Sequence, residues 1–266
     1  MDNPTQFAHR HDVPVKADTV DAPIVHYGEP MTAIHFSTDS GRWARITFER
    51  LDSLKVSRGE HVPFPASPED SEEFHWVTTI SNSEWLRERY EYEKRHYGRS
   101  YNFNGNVEEM LDEYSHYVFS FHDQFVEAIA AGIWIEVDDH SLVDREMMPS
   151  HPLMGLAHLP MAEHFEGSGI RCFVRRNPMS NQELDHAAAL CSQNILEIGA
   201  VLEGSSSPSW FLTRRIRNGI GKTYLRGYFG NVVETYDTIP TLSEIRPRID
   251  QWLAEVRERR RQMGKP

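Results

Sequence analysis

Two strand–turn–strand signatures, one toward each end of the chain, constrain its fold more than any other feature. Residues 32–36 and 43–48 alternate around Asp39-Ser40-Gly41, and residues 210–217 and 222–229 alternate around Asn218-Gly219-Ile220-Gly221. Asp, Asn and Gly tolerate the left-handed backbone of tight turns, and period-two alternation buries one face of each flanking strand. Each signature therefore predicts an antiparallel hairpin. At 266 residues, with 39% hydrophobic and 26% charged, the chain is long enough to bury one large core or two small ones around them.

Other elements follow from local pattern. Residues 54–56 extend the first sheet, and 75–80, 133–137 and 169–176 read as strands. Ser81 with Glu84 has capping-box spacing, and Leu86, Tyr90 and Tyr97 mark one helix face before Gly98. Ser180 with Glu183 opens a second helix, along which Leu184, Ala188, Cys191, Ile195, Ile198 and Leu202 recur at spacings of four and three up to Gly204. Thr241 or Ser243 begins a terminal helix with Ile245, Ile249, Trp252 and Val256 facing inward, Pro247 being tolerated near its first turn.

The stretch 106–131 supports two readings. Val107, Leu111, Tyr114, Val118, Phe121, Phe125, Ala128 and Gly132 recur at spacings of four and three, which predicts an amphipathic helix. Residues 115–123 also alternate, with Tyr117, Phe119 and Phe121 on one side, and aromatic-rich runs favour strands. The expected class is α+β, with antiparallel sheets, several covering helices and a long irregular segment near 138–164. Residues 1–28 read as a flexible tail, ordered only if it docks; 29–164 and 165–266 read as two α+β regions packed together.

Candidate chemistry depends on these assignments. On a helix, His116, Ser120, Asp123 and Glu127 form a polar stripe, with His122 adjacent. Imidazole and carboxylate on adjacent turns suit a divalent iron, zinc, manganese or copper ion, or can share a proton in acid–base work. On a strand, His116 and His122 stand about 20 Å apart and the stripe disperses. Glutamate precedes histidine by three residues at Glu72/His75, Glu93/His96, Glu113/His116 and Glu183/His186, a spacing that serves carboxylate-bridged metal sites only in helical bundles. The irregular segment gathers His140, His151, His158 and His164 with Met147, Met148, Met154 and Met161, which suits softer ions or a cap filled by flexible side chains.

The second hairpin offers a different chemistry. Arg215, Arg217, Lys222 and Arg226 alternate with Tyr224 and Tyr228, and residues 209–230 contain no acid. If these side chains share a sheet face, they form a cationic, aromatic platform for phosphates and stacked bases. Charge is divided along the chain: residues 205–266 hold 12 basic and 6 acidic residues, whereas the whole chain carries −12.

The leading expectation is therefore a soluble cytoplasmic acidic binding or regulatory protein, immunity- or antitoxin-like, that engages a basic partner through residues 69–73 and 108–113. A metal-dependent oxidase or hydrolase and a nucleotide or nucleic-acid binder are the alternatives. Two cysteines form no disulfide framework, and neither a leader-like start nor an apolar run of about 18 residues is present, so a membrane location is not expected.

Overall fold

The structure, a computed structural model, describes residues 5–11, 13, 15–18, 20–28, 31–68, 76–98, 107–145, 161–167, 170–202, 205–206, 210–217, 219–227 and 232–264. The chain divides into two compact units, 1–146 and 147–266.

The first unit is built on a seven-stranded antiparallel sheet. Its strands are β1 (Phe7–Arg10), β2 (Ile24–His26), β3 (Ala33–Ser37), β4 (Trp43–Arg58), β5 (Val77–Ser81), β6 (Ser115–Phe121) and β7 (Gln124–Asp138), in the order β1-β5-β6-β7-β4-β3-β2. The long strands β4 and β7 pair from Trp43–Asp138 to Arg58–Gln124, and a register shift between Leu51 and Ser53 follows Arg50, whose φ is +47°. Such a bulge bends a long strand without ending it. Helix α1 (Glu84–Tyr97) is capped by the Ser83 hydroxyl, two residues beyond the cap read from the sequence, and ends at Gly98 with φ +63°. With the short helix α2 (Met110–Glu113), α1 buries Leu86, Tyr90, Met110 and Tyr114 against Ile129 and Ala131 of β7. Phe36, Phe119, Phe121 and Trp76 form a separate aromatic cluster with ring centroids 4.9–6.4 Å apart.

The second unit contains a second antiparallel sheet. Its strands are β8 (Met161–Gly167), β9 (Ile170–Arg176), β10 (Gln193–Leu202), β11 (Ser205–Ser206), β12 (Trp210–Arg217), β13 (Ile220–Arg226) and β14 (Val232–Tyr236), in the order β14-β13-β12-β10-β9-β8, with β11 on β10. Helices α3 (Asn181–Ala188) and α4 (Leu242–Gln262) both begin with complete capping boxes, at Ser180/Glu183 and Thr241/Glu244. Leu184 of α3 and Ile245, Ile249, Trp252 and Val256 of α4 join one core with Cys172, Val174, Ile198, Leu212 and Leu225 of the sheet.

The expected balance of sheet and several covering helices is thus corrected: the fold is mostly β, with strands outnumbering helices in both units. Two predicted helices account for most of the difference. The 106–131 helix is replaced by a 3-10 turn at Val107–Glu109, α2, and the hairpin β6–β7. Residues 117–121 are buried on both faces of β6, so a helical period fits them as readily as a strand period, and aromatic and β-branched preference prevails. The helix predicted from Ser180 to Leu202 stops at Ala188, and Ile195, Ile198 and Leu202 lie in β10. There a register shift between Asn194 and Leu196 buries both Ile195 and Leu196, which breaks the alternation and imitates a spacing of three and four. Within the N-terminal stretch, β1 pairs with β5 and β2 with β3, the docking on which its order was expected to depend. Residues 147–160 of the irregular segment lie outside the described residues.

Candidate functional site

The hairpin β6–β7 disperses the predicted metal ligands yet preserves one pair. His116 stands opposite Ile129, so Glu127 is its diagonal neighbour on the same face, and His116 Nε2 lies 2.9 Å from Glu127 Oε2. His122 and Asp123 form the two-residue turn between Phe121 and Gln124, at the far end of β6; they pair with each other at 3.1 Å on the surface. The structure therefore joins His116 to Glu127 and to neither His122 nor Asp123.

His116 is 1% exposed and has a second partner, the Ser83 hydroxyl, 2.8 Å from Nδ1. A carboxylate only accepts, so in the neutral ring Nε2 donates to Glu127 and Nδ1 accepts from Ser83. The Ser83 oxygen in turn accepts from the Leu86 backbone N–H at 3.0 Å. This chain of hydrogen bonds links the start of α1 to β6 and β7. Trp85 and Phe64 stand nearly perpendicular to the imidazole, at centroid distances of 5.1 and 5.5 Å, and Lys55 Nζ sits 3.6 Å from the Trp85 ring centre. The hydrogen bond from His116 holds the Glu127 carboxyl below its ordinary value against the opposing effect of burial, with Lys55 adding to the shift. With both ring nitrogens engaged, no lone pair of the neutral imidazole is left for a metal ion. Among the described residues, no group of three or more His, Cys, Asp or Glu side chains is placed to hold one.

The other sequence candidates separate in the same way. Glu108 binds Lys94 at 2.9 Å and accepts from the Tyr90 hydroxyl, and Glu113 binds Arg50 at 2.7 Å, so much of the acidic run 108–113 is neutralised within the unit. Residues 69–73 lie outside the described residues. His140 is exposed beside Asp138; His151, His158, Met147, Met148 and Met154 lie outside the described residues, and His164 and Met161 belong to β8.

The basic hairpin, in contrast, assembles. The register of β12 and β13 pairs Arg217 with Ile220, Arg215 with Lys222, Thr213 with Tyr224 and Phe211 with Arg226. Directly opposed residues share a face, so these eight lie on the side of the sheet away from Leu212, Leu225 and the helices. Tyr228 lies outside the described residues. Arg215, Arg217, Lys222, Tyr224 and Arg226 are each half-buried. The Arg226 guanidinium lies 5.2 Å from the Tyr224 ring centre, and Lys222 Nζ is 2.7 Å from Asp237 Oδ1. That hydrogen bond raises the Lys222 pKa and lowers that of Asp237.

Alternation turns Arg214 the other way, into the core side. It donates to Asp185 Oδ1 at 2.9 Å, to the Thr223 hydroxyl at 3.2 Å and to the Asp237 carbonyl at 3.0 Å. Gly221 makes room for it: a Cβ at that position would lie 2.3 Å from Arg214 Nη2.

Sequence reasoning missed that the basic face extends beyond the hairpin. Glu197 of β10 stands opposite Phe211 and also opposite Arg175 of β9, and Gly199 stands opposite Phe173. Arg175 therefore lies on the same face, 3.6 Å from Glu197 and 5.1 Å from the Phe173 ring centre. The signal was present in residues 172–175, where Cys172 and Val174 are buried and Phe173 and Arg175 alternate with them. What the sequence did not supply is the pairing of β9 with β10 and of β10 with β12. Comparison with protein-family models, curated proteins and solved structures finds no match to this chain, so these residues alone carry the functional argument.

Proposed function

We propose that the second unit is an anion-binding module. Its ligands are phosphate-bearing molecules with a stackable ring, nucleotides or single-stranded nucleic acid, bound on the face of β12 and β13 that carries Arg215, Arg217, Lys222, Tyr224 and Arg226. One observation carries this reading: the hairpin register gathers these side chains on the sheet face opposite the α3–α4 core. Guanidinium groups take phosphate oxygens in pairs, aromatic rings stack bases, and half-burial strengthens both by reducing solvent screening. Residues 147–266 contain 15 basic and 12 acidic residues, which favours an anion at this unit over the other.

The test is equilibrium binding of a nucleoside triphosphate to the full chain at low salt, before and after the combined change Arg215→Gln, Arg217→Gln and Arg226→Gln. Binding should weaken with salt and fall by at least about tenfold in the variant. Undiminished binding in a folded variant overturns the reading.

A second reading is favoured by a separate observation. Residues 1–146 hold 28 acidic and 13 basic residues, and Arg42, Arg45, Arg50, Arg89, Lys94 and Arg145 are each paired with a carboxylate inside that unit. The remaining excess of acid suits a basic protein partner, whose association it would accelerate at low ionic strength. Association of a basic polypeptide that is insensitive to salt would count against this reading.

A further inference from the structure

The face used in the anion-binding reading has a length and an order. Counted from the hairpin turn, its rows are Arg217 with Ile220, Arg215 with Lys222, Thr213 with Tyr224, and Phe211 with Arg226. The fourth row continues through Glu197 to Arg175, and the fifth joins Gly199 to Phe173. Same-face rows are about 6.7 Å apart and neighbouring strands about 4.8 Å, so the first and fifth rows are about 27 Å apart. Three rings, Tyr224 on β13, Phe211 on β12 and Phe173 on β9, occupy the third, fourth and fifth rows and step diagonally across the sheet.

Charge accompanies each step. Arg217 stands beside Ile220 in the first row, Arg215 and Lys222 make up the second, and Arg226 and Arg175 stand in the fourth. Arg226 lies against Tyr224 and Arg175 against Phe173, at 5.2 and 5.1 Å from the ring centres. A guanidinium backed by a ring offers a flat surface for a base and a charge for the next phosphate. Gly199 keeps the third ring in place, because a Cβ there would lie 2.3 Å from Phe173 Cζ. Glu197, the acid within the path, is drawn to Arg175.

A mononucleotide can occupy one ring and the phosphate site beside it, leaving the other rings and the far cations unused. A duplex hides the base faces that rings require. We infer that the ligand of this face is a single strand of nucleic acid whose bases stack on Tyr224, Phe211 and Phe173, with a contact length of about three nucleotides. This rests on the anion-binding reading and adds the class of ligand to it.

The experiment is fluorescence anisotropy on the full chain with fluorescein-labelled oligodeoxythymidylates, from the mononucleotide to about ten residues, with unlabelled inorganic triphosphate as competitor. Affinity should climb steeply up to about three or four nucleotides and then level off, and it should fall with salt as expected for a few phosphate contacts. Phe211→Leu and Phe173→Leu, checked for folding by circular dichroism, should each weaken the oligomer by about tenfold while leaving triphosphate binding unchanged. If mononucleotide and triphosphate compete as well as the oligomer, or if both ring variants bind it normally, this inference is overturned while the anion-binding reading stands. If neither triphosphate nor oligomer binds, the anion-binding reading fails and takes this one with it.

Discussion

Arg45 in the first unit and Arg214 in the second are both buried arginines, yet they are neutralised in different ways. Arg45 is fully enclosed: it pairs with buried Glu136 at 2.6 Å, directly across β4 and β7, and donates to the carbonyls of Leu142 and Arg145. Arg214 meets Asp185, a carboxylate that is 44% exposed, and leans on a glycine for room. The neighbouring cations of β12 and β13 lie on the outer face of their sheet. The first unit encloses Arg45 together with its carboxylate, whereas the second leaves the partner of Arg214 at the surface. An enclosed pair repays its desolvation only while both partners are present, whereas a partner at the surface can be rehydrated when its mate is lost.

The largest expected effect tests that enclosure. Arg45→Met removes the guanidinium from a buried carboxylate and should cost about 3–5 kcal/mol of stability in urea unfolding. Arg45→Met with Glu136→Leu should recover most of it, because neither charge then remains in the core. A single change costing no more than the double would show that the pair is not enclosed.

Next comes the His116 chain. Glu127→Leu leaves the imidazole N–H without its carboxylate and should cost about 1.5–3 kcal/mol at neutral pH. Because the folded Glu127 value lies below the ordinary 4.5, the stabilisation is complete above pH 4.5 and disappears as pH falls through the lowered value. Thermal melts of wild type and variant should converge in acid. A difference that persists unchanged at low pH would mean that packing, not charge, holds this site.

A smaller effect is expected where the second unit makes room for Arg214. Gly221→Ala intrudes on a guanidinium fixed by three acceptors and should cost about 1–2 kcal/mol. Gly221→Ala combined with Arg214→Met should be no less stable than Arg214→Met alone. An additive loss would place the strain elsewhere.

The smallest change should be on the basic face itself. Lys222→Gln, which gives up an ion pair to a largely exposed Asp237, should alter stability by less than about 1 kcal/mol. A loss comparable to that of Arg45→Met would mean that this face supports the fold, which would remove the contrast between the units.

A hydrogen-exchange measurement sharpens the first unit further. His35 is buried opposite Arg45 on β3, and burial, with Arg45 beside it, lowers its pKa from the ordinary 6.5. The unfolded chain therefore takes up a proton near pH 6.5 that the folded chain refuses, so stability is full above that pH and declines as pH falls toward the lowered value. Exchange in β3 should quicken over this interval in the wild type and not in His35→Gln.

Legibility in the sequence followed how local each signal was. Both hairpins flanked by turn residues formed, and Thr241 and Ser180 cap the helices assigned to them, because turn and cap chemistry acts within four residues. The terminal helix buried Ile245, Ile249, Trp252 and Val256 as its spacing implied. Where both faces of a strand are buried, as at 117–121, or where a bulge interrupts the alternation, as at 194–196, hydrophobic period no longer distinguishes strand from helix. The same holds for the sites. Shared face on β12 and β13 follows from alternation and a turn; the union of His116, Glu127 and Ser83 needed the register of β6 on β7 and the start of α1.

The sequence by itself determined the turns, the caps of α3 and α4, the inward face of α4, and the alternation that separates Arg214 from Arg215 and Arg217. Each of these depends on residues a few positions apart, whose relative directions are set by backbone geometry alone. Only the tertiary structure decided which strands become neighbours. It brought Phe173 and Arg175 to the basic face through β10, turned a predicted helical stripe into a Ser83–His116–Glu127 chain, and enclosed Arg45 with Glu136 from 91 residues away. Pairing over such distances is selected by burial and hydrogen-bond satisfaction summed over the whole sheet, a quantity that no short window of sequence contains.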